Sequence, residues 1–203
     1  LHEVGHMVAA RYYSLRVKVP IFVPFLGAYV RLEDLPRNSY IQSVVSFGGP
    51  FAGGIGALIL LMAGYFCADP SMKNLLLILA WFTALINLLN LIPFMGLDGA
   101  GISLPMKTVH WVVFLFLFSI LIFWCYHETS RLNPVMLLIF IVSFVRAAVG
   151  FAKDKGLIKM SLLEQLKHKG RFPDESQVGN KLRIQAMLGY FILSIGLTAL
   201  IIY

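Results

Sequence analysis

Two long runs of apolar residues, at 109–126 and 184–203, constrain this chain more than any other feature of its sequence. A membrane-spanning helix needs about 20 mostly apolar residues, and soluble domains seldom contain such runs. Only 13% of the residues are charged, whereas soluble domains carry about 25%, and the mean hydropathy is +0.80. The sequence therefore predicts an all-α polytopic membrane protein and excludes soluble, disordered, collagen-like and disulfide-rich classes.

Further apolar segments of similar length predict the number of membrane spans. With the two runs above, the predicted spans lie at about residues 41–67, 74–92, 109–126, 134–151 and 184–203. The opening segment, residues 1–14, is apolar but too short to cross a bilayer. We expect it to be the second half of a transmembrane helix, which gives about six spans with the first one truncated.

The segment between the first two predicted helices has a different pattern. It contains Pro20, Pro24 and Gly27, which interrupt a helix, among many β-branched and aromatic residues. This pattern predicts a β-hairpin with strands at residues 21–25 and 28–32 around Leu26 and Gly27. Because unpaired strands cannot face lipid, such a hairpin would be re-entrant beside protein or a wet cavity. An irregular interfacial loop is the alternative.

The distribution of basic residues predicts the orientation of the spans. All but two of the 17 Lys and Arg residues fall on one side in alternate loops, and the exceptions are Lys73 and Arg131. The rich side includes Arg146 and a basic loop at about residues 152–183, where leucines at 162, 163 and 166 predict a surface helix. Cytoplasmic loops carry the excess of Lys and Arg, so these loops are assigned to the cytoplasm, as in a cell-membrane protein. The net charge of +7 thus needs no nucleic-acid partner.

An ionisable motif inside the first predicted helix indicates a metal site. His2, Glu3 and His6 form an HExxH pattern, and residues i and i+4 of a helix are about 40° apart around its axis. Both imidazoles can therefore face one zinc ion, while Glu3 lies beside it and can take a proton from a water molecule made acidic by the metal. A catalytic zinc normally has three protein ligands, so one ligand must come from elsewhere.

Asp98 is the best candidate for the third ligand. It follows Pro93, which is predicted to kink the helix, and it lies between Gly96 and Gly99, which loosen the backbone. A carboxylate there can turn inward rather than toward lipid, and an oxygen ligand beside two imidazoles suits zinc. The alternative is a helix cap in an interfacial turn.

Two other features lie in predicted helices near these residues. Gly48, Gly49 and Pro50 are followed by further glycines at 53, 54 and 56, so one helix face is nearly without side chains. This pattern predicts that another helix packs closely there. Asn87 is predicted to form an interhelical hydrogen bond.

The motifs together resemble one enzyme family. The HEVGH sequence at residues 2–6, the Gly-Gly-Pro span and Asn90 with Pro93 and Leu97-Asp98-Gly99 are similar to the site-2 protease family of intramembrane zinc metalloproteases. The resemblance covers about residues 1–101. It implies a three-helix catalytic core at residues 1–108 with the re-entrant hairpin near the active site, followed by additional transmembrane helices at residues 109–203.

The resemblance also implies roles for individual residues. His2, His6 and Asp98 would bind one zinc ion per chain, Glu3 would activate water, and Asn90 would assist peptide or transition-state binding. Substrates would be transmembrane segments of regulatory proteins or remnant signal peptides, cleaved in the bilayer with the active site toward the cytoplasm. A non-proteolytic scaffold or a metal-handling transporter that retains the ligands is the alternative, although neither needs Glu3 beside the ligand pair.

Overall fold

The computed structural model describes residues 1–17, 21–23, 27–29, 34–94, 96–156 and 175–202. Two short strands follow the first helix, and the remaining elements are helical. In chain order they are α1 (His2–Tyr12), β1 (Ile21–Val23), β2 (Gly27–Tyr29), α2 (Ser39–Phe66), α3 (Pro70–Asn90), α4 (Asp98–Ile102), α5 (Thr108–Thr129), α6 (Pro134–Asp154), a 3-10 turn (Glu175–Gln177) and α7 (Asn180–Ile202).

Five of these helices, α2, α3, α5, α6 and α7, are long and apolar enough to cross a membrane. They correspond to the five complete spans predicted from the sequence. Helix α1, which the sequence predicts as part of a sixth span, contains 11 residues in the structure. The described part of the chain is thus a predominantly helical, multi-pass membrane protein.

Polar residues fix where several of these helices begin. The Asn38 side chain accepts a hydrogen bond from the backbone N–H of Ile41 and caps α2. Asp69 and Asn133 cap α3 and α6 in the same way, and a proline follows each of them at the first helical position. Such caps satisfy backbone donors that the helix leaves unpaired, and proline is tolerated there because it has no N–H to lose. The apolar runs are therefore bounded by local signals.

The predicted kink at Pro93 is wrong in one respect: α3 ends at Asn90 and does not continue through the proline. Proline disfavours helical geometry in the residue before it and cannot donate to the preceding turn. Gly96 then has φ of +98°, a left-handed conformation that favours glycine. The chain consequently turns, and Asp98 begins the separate short helix α4.

Helix α2 is central and packs against α1, α3, α4 and α7. At its contact with α1 the two backbones touch, since a Cβ atom added to Gly5 would lie 2.0 Å from the Gly48 carbonyl oxygen. This contact supports the close approach predicted from the glycine pattern. It also brings the HExxH helix directly onto α2, with no side chain between them at that point.

One hydrophobic core joins the end of α3 to the later helices. Leu91 after α3, Phe114 of α5 and Tyr190 of α7 all lie in it and are fully buried. The Tyr190 ring stacks on Phe114 at a centroid distance of 4.8 Å, and its hydroxyl donates a hydrogen bond to the Leu91 carbonyl. Residues from both predicted parts of the chain, 1–108 and 109–203, therefore share this core.

The two strands pair antiparallel, with Ile21 opposite Tyr29 and Val23 opposite Gly27. Gly27, predicted in the turn, is instead the first residue of β2. The rest of the predicted hairpin, residues 24–26 and 30–32, lies outside the described residues. Arg16 precedes the segment that contains the two strands, and Asp34 follows it. The Arg16 side chain donates to both carboxylate oxygens of Asp34 at 2.7–3.2 Å. These hydrogen bonds lower the pKa of Asp34 to about 2, so the pair is ionised at neutral pH.

The positions of some basic residues differ from the sequence prediction. Arg146, counted with the cytoplasmic loops although it falls within the predicted span at 134–151, lies inside α6, about two turns before that helix ends at Asp154. Lys181 and Arg183 belong to the first turns of α7, where Arg183 donates to the Pro105 carbonyl. Both helices extend a few residues beyond their predicted spans, and long basic side chains at such helix ends can reach the membrane interface. The predicted surface helix at 162–166 lies outside the described residues.

Candidate metal centre

Helix α1 presents His2 and His6 on the face that packs against α2. Their Nε2 atoms are 3.1 Å apart, and the rings meet edge to face at a centroid distance of 4.8 Å. The space for them exists because residue 49 of α2 is glycine: a Cβ atom there would lie 2.2 Å from His6 Nε2 and 2.8 Å from His2 Nε2. The glycine face of α2 therefore forms one wall of the site.

Asp98, the first residue of α4, places its carboxylate beside these two imidazoles. Its Oδ2 atom lies 3.1 Å from His2 Nε2 and its Oδ1 atom 3.3 Å from His6 Nε2. Gly99 allows this return of the chain, since a Cβ atom at residue 99 would lie 2.1 Å from the Leu91 carbonyl oxygen. The helix-cap alternative is not supported, because Leu97 occupies the N-cap of α4 and Asp98 faces the imidazoles.

The outer nitrogen of each imidazole has a partner on another helix. His6 Nδ1 lies 2.8 Å from the carbonyl oxygen of Val45 in α2, and His2 Nδ1 lies 2.8 Å from Asn87 Oδ1 in α3. A backbone carbonyl can only accept, so His6 carries its proton on Nδ1 and leaves the Nε2 lone pair free. The same holds for His2 if Asn87 presents its oxygen. Both lone pairs then point toward Asp98.

These three side chains fit a zinc ion. His2, His6 and Asp98 form the one group of three or more His, Cys, Asp or Glu side chains within the described residues that could hold a metal ion. Zinc bonds of about 2.0–2.1 Å in a tetrahedron separate ligand atoms by about 3.3 Å, close to the 3.1–3.3 Å seen between these atoms. The side chains are only 13–22% exposed.

The other two predicted site residues lie nearby on the same elements. Glu3 follows His2 on α1, is partly exposed, and interacts electrostatically with His6. Asn90 is the last residue of α3 and is also partly exposed. Among the described residues, neither side chain takes part in a hydrogen bond or ion pair recorded in the structure. Their roles therefore stay predictions, whereas His2, His6 and Asp98 are brought together.

Two features of the site were missed by sequence reasoning. The predicted interhelical hydrogen bond of Asn87 is confirmed, but its partner is His2, which no sequence signal identified. Gly49 was interpreted only as part of a packing face, yet it lies against both imidazoles. A useful signal would have been its place in the Gly-Gly-Pro motif, which the family resemblance included.

Comparison with known proteins gives a match to one family and to several curated zinc metalloproteases. Residues 1–71 match the model of peptidase family M50. A protein of Oryza sativa subsp. indica, named probable zinc metalloprotease EGY2, chloroplastic, is 28% identical over an alignment that covers 52% of this chain and 27% of that protein. Zinc metalloprotease MJ0392 of Methanocaldococcus jannaschii is 25% identical, with 50% of this chain and 30% of that protein covered.

This chain thus spans less than a third of the length of those two relatives. The match to the family model begins at the HExxH helix and extends through the glycine-rich helix that forms the wall of the site. These matches confirm the resemblance inferred from the motifs: the chain is similar over residues 1–71 to peptidase family M50, the site-2 protease family, and over about half its length to zinc metalloproteases.

Proposed function

We propose that this protein is a zinc-dependent intramembrane endopeptidase. It would hold one zinc ion at His2, His6 and Asp98 and hydrolyse peptide bonds in transmembrane segments of regulatory membrane proteins or in remnant signal peptides. The family match and the names of the relatives support a membrane zinc metalloprotease in general. The assignment of this chemistry to particular residues rests on the geometry of the site.

One observation carries the proposal. The Nε2 atoms of two imidazoles and a carboxylate converge within 3.1–3.3 Å of one another, and the Nδ1 atom of each ring lies within hydrogen-bond distance of an acceptor on another helix. Lone pairs and a negative charge repel at such distances in a largely buried site unless a cation lies between them. The donor set of two imidazoles and one carboxylate is one that catalytic zinc sites use.

The residues around the metal ligands supply the remaining steps of hydrolysis. When bound, zinc would act as a Lewis acid that lowers the pKa of water and polarises a substrate carbonyl. Glu3 takes the proton of the attacking water and delivers it to the leaving amine. Asn90, at the end of α3, is proposed to hydrogen-bond the substrate peptide. The partial exposure of both side chains is consistent with contact to water and substrate.

The hairpin is proposed to hold the substrate. A helix hides its carbonyl groups in internal hydrogen bonds, so a transmembrane substrate must unwind before it is cut. Strands β1 and β2 form a two-stranded sheet, and an extended peptide can add to a sheet edge through backbone hydrogen bonds. We place this re-entrant hairpin and the active site toward the cytoplasmic side of the cell membrane, on the basis of the Lys and Arg distribution.

Zinc binding tests the proposed ligand set. We expect the purified protein to bind one zinc ion and to cleave a transmembrane substrate in detergent or liposomes. Replacing a ligand, as in His6→Ala or Asp98→Asn, should weaken zinc binding by more than about 100-fold, because losing even an outer partner of a ligand costs about 10–100-fold. Metal content after dialysis, and affinity from competition with a chelator, measure this.

His127→Ala is the matched control, since the His127 side chain is 77% exposed at the end of α5. It should leave both the zinc content and the cleavage rate unchanged. Zinc affinity that is the same in His6→Ala and the unmodified protein would contradict the ligand assignment.

A proline in the hairpin tests the proposed role of the strands. Tyr29 pairs with Ile21, and Tyr29→Pro would remove a backbone N–H and fix φ there. Cleavage of a transmembrane substrate should slow roughly tenfold, equivalent to about 1.4 kcal/mol of lost substrate binding, while zinc content stays the same. A short unstructured peptide should be cleaved at nearly the original rate.

Tyr29→Val, which keeps the N–H and suits a strand, is the control for that experiment. Equal cleavage of the transmembrane substrate by the proline variant and the control would exclude the hairpin from substrate binding.

A further inference from the structure

Asn87 forms a hydrogen bond that links α3 to α1, the helix that carries the HExxH motif. It belongs to α3, is only 3% exposed, and its Oδ1 atom lies 2.8 Å from Nδ1 of His2 on α1. Helix α2 packs against both α1 and α3. A side chain of α3 can therefore reach the metal ligand only where α2 leaves room.

Gly53 leaves that room. A Cβ atom added at residue 53 would lie 2.0 Å from Asn87 Oδ1 and 2.4 Å from both Cγ and Nδ2 of the same side chain. Real Cβ atoms do not approach other atoms so closely, so any larger residue at position 53 would displace the amide. Gly49, one helical turn earlier, leaves the corresponding space for the imidazoles themselves. The two glycines thus leave room, one turn apart on the same face of α2, for the imidazoles and for the Asn87 amide.

The orientation of the Asn87 amide is fixed by its second hydrogen bond. Asn87 Nδ2 donates to the carbonyl oxygen of Thr83, one turn earlier on α3, at 2.7 Å. Because a carbonyl oxygen can only accept, the NH2 group must face Thr83 and the Oδ1 atom must face His2. The Oδ1 atom accepts in turn, so the proton of His2 lies on Nδ1 and its Nε2 lone pair faces His6 and Asp98.

We infer that Asn87, reaching through the gap at Gly53, is a positioning residue that holds His2 in the tautomer and orientation required for metal binding. The inference rests on the proposed zinc site and adds to it a residue on a third helix. Without this acceptor, the ring could turn or carry its proton on Nε2, and neither state presents a lone pair to the metal. Partners of this kind typically account for about 10–100-fold of metal affinity.

Zinc affinity, measured by competition with a chelator on the purified full chain, tests the role of Asn87. Asn87→Ala should bind zinc about 10–100-fold more weakly than the unmodified protein. Asn87→Asp keeps an acceptor toward His2 but loses the donor to the Thr83 carbonyl, so its zinc affinity should lie between those of Asn87→Ala and the unmodified protein. Ser194→Ala, which removes a buried polar side chain of α7 that hydrogen-bonds within its own helix, should not change zinc affinity.

A double-mutant cycle tests the role of Gly53. Gly53→Ala alone should weaken zinc binding about as much as Asn87→Ala, since both remove the same hydrogen bond. In the double variant the shortened side chain at position 87 no longer meets the added methyl group, so affinity should be no lower than in Asn87→Ala. Gly54→Ala is the control on the neighbouring residue, because its added Cβ atom would meet only the end of the Leu197 side chain at 3.2 Å.

The outcomes separate this inference from the proposed zinc site. Unmodified protein that binds no zinc, or zinc affinity unchanged by His6→Ala, would overturn the zinc site itself. If the site holds but Asn87→Ala binds zinc as tightly as the unmodified protein, the inference about Asn87 is wrong. Additive losses in the double variant would overturn the role of Gly53.

Discussion

Glu3→Gln is expected to reduce cleavage of a membrane substrate by at least about 10²-fold, and up to about 10⁴-fold, while the protein keeps its zinc. Glutamine preserves the shape of the side chain and loses only the carboxylate that accepts the proton. His2, His6 and Asp98 do not depend on Glu3 for their hydrogen bonds or ion contacts. Metal content and initial cleavage rates, measured on the same purified samples, test both halves of this prediction.

Glu128→Gln provides a control, because Glu128 is half exposed near the end of α5. It removes one negative charge without touching the metal centre, so cleavage should be unaffected. Equal turnover by the Glu3 variant would rule out Glu3 as the general base, and loss of zinc would make it a structural residue. If the unmodified protein holds zinc yet cleaves no membrane substrate, the scaffold or transporter alternative gains support.

Gly49→Ala is expected to have the second large effect, although it adds only one methyl group. The new Cβ atom would lie 2.2 Å from Nε2 and 2.4 Å from Cε1 of His6, and 2.8 Å from Nε2 of His2. Close-packed interiors cannot absorb such overlap without moving the rings. A displacement of about 1 Å at a catalytic centre costs on the order of 10²-fold in rate, so cleavage should fall at least that far.

Zinc affinity of the Gly49→Ala variant should fall together with its activity, whereas its helical content in detergent should be retained. The control is Gly196→Ala in α7, where an added Cβ atom meets no other described residue within 4 Å. That substitution should leave zinc binding and cleavage unchanged. Normal zinc affinity in Gly49→Ala would mean that the imidazoles do not lie against this face of α2.

Much of this arrangement could be predicted from the sequence because its signals are local. Apolar runs mark the spans, and the i, i+4 spacing of His2 and His6 puts both on one face of a helix. Asp98 could be selected because carboxylates within membrane segments are rare and usually functional. The contact of Asn87 with His2 could not be predicted, since it joins residues 85 positions apart and depends on which face of α2 each neighbour packs against.

The end of α3 shows a second limit. Pro93 indicated a disturbance of the helix, but a proline is compatible with either a kink or a termination. The choice depends on the following residues, where Gly96 adopts a left-handed conformation and Gly99 approaches the Leu91 carbonyl. The start of α7 at Asn180, which places Lys181 and Arg183 inside a helix instead of in the predicted loop, could not be predicted because hydropathy does not register how far a polar helix end continues.

The hydrogen bond from Tyr190 to the Leu91 carbonyl enlarges the part of the chain that would have to be moved together if the proposed metal centre were transferred to another protein. The three proposed metal ligands all occur before residue 99, so an engineer who followed the motifs would cut the gene after α4. Yet the loop that delivers Asp98 starts at Leu91 and is braced by a tyrosine far downstream, itself stacked on Phe114. Grafting this centre onto another scaffold, or shortening it, would therefore require a substitute for that brace. Sequence variation in α5 and α7 thus bears on the proposed catalytic centre, although those helices contribute none of its proposed ligands.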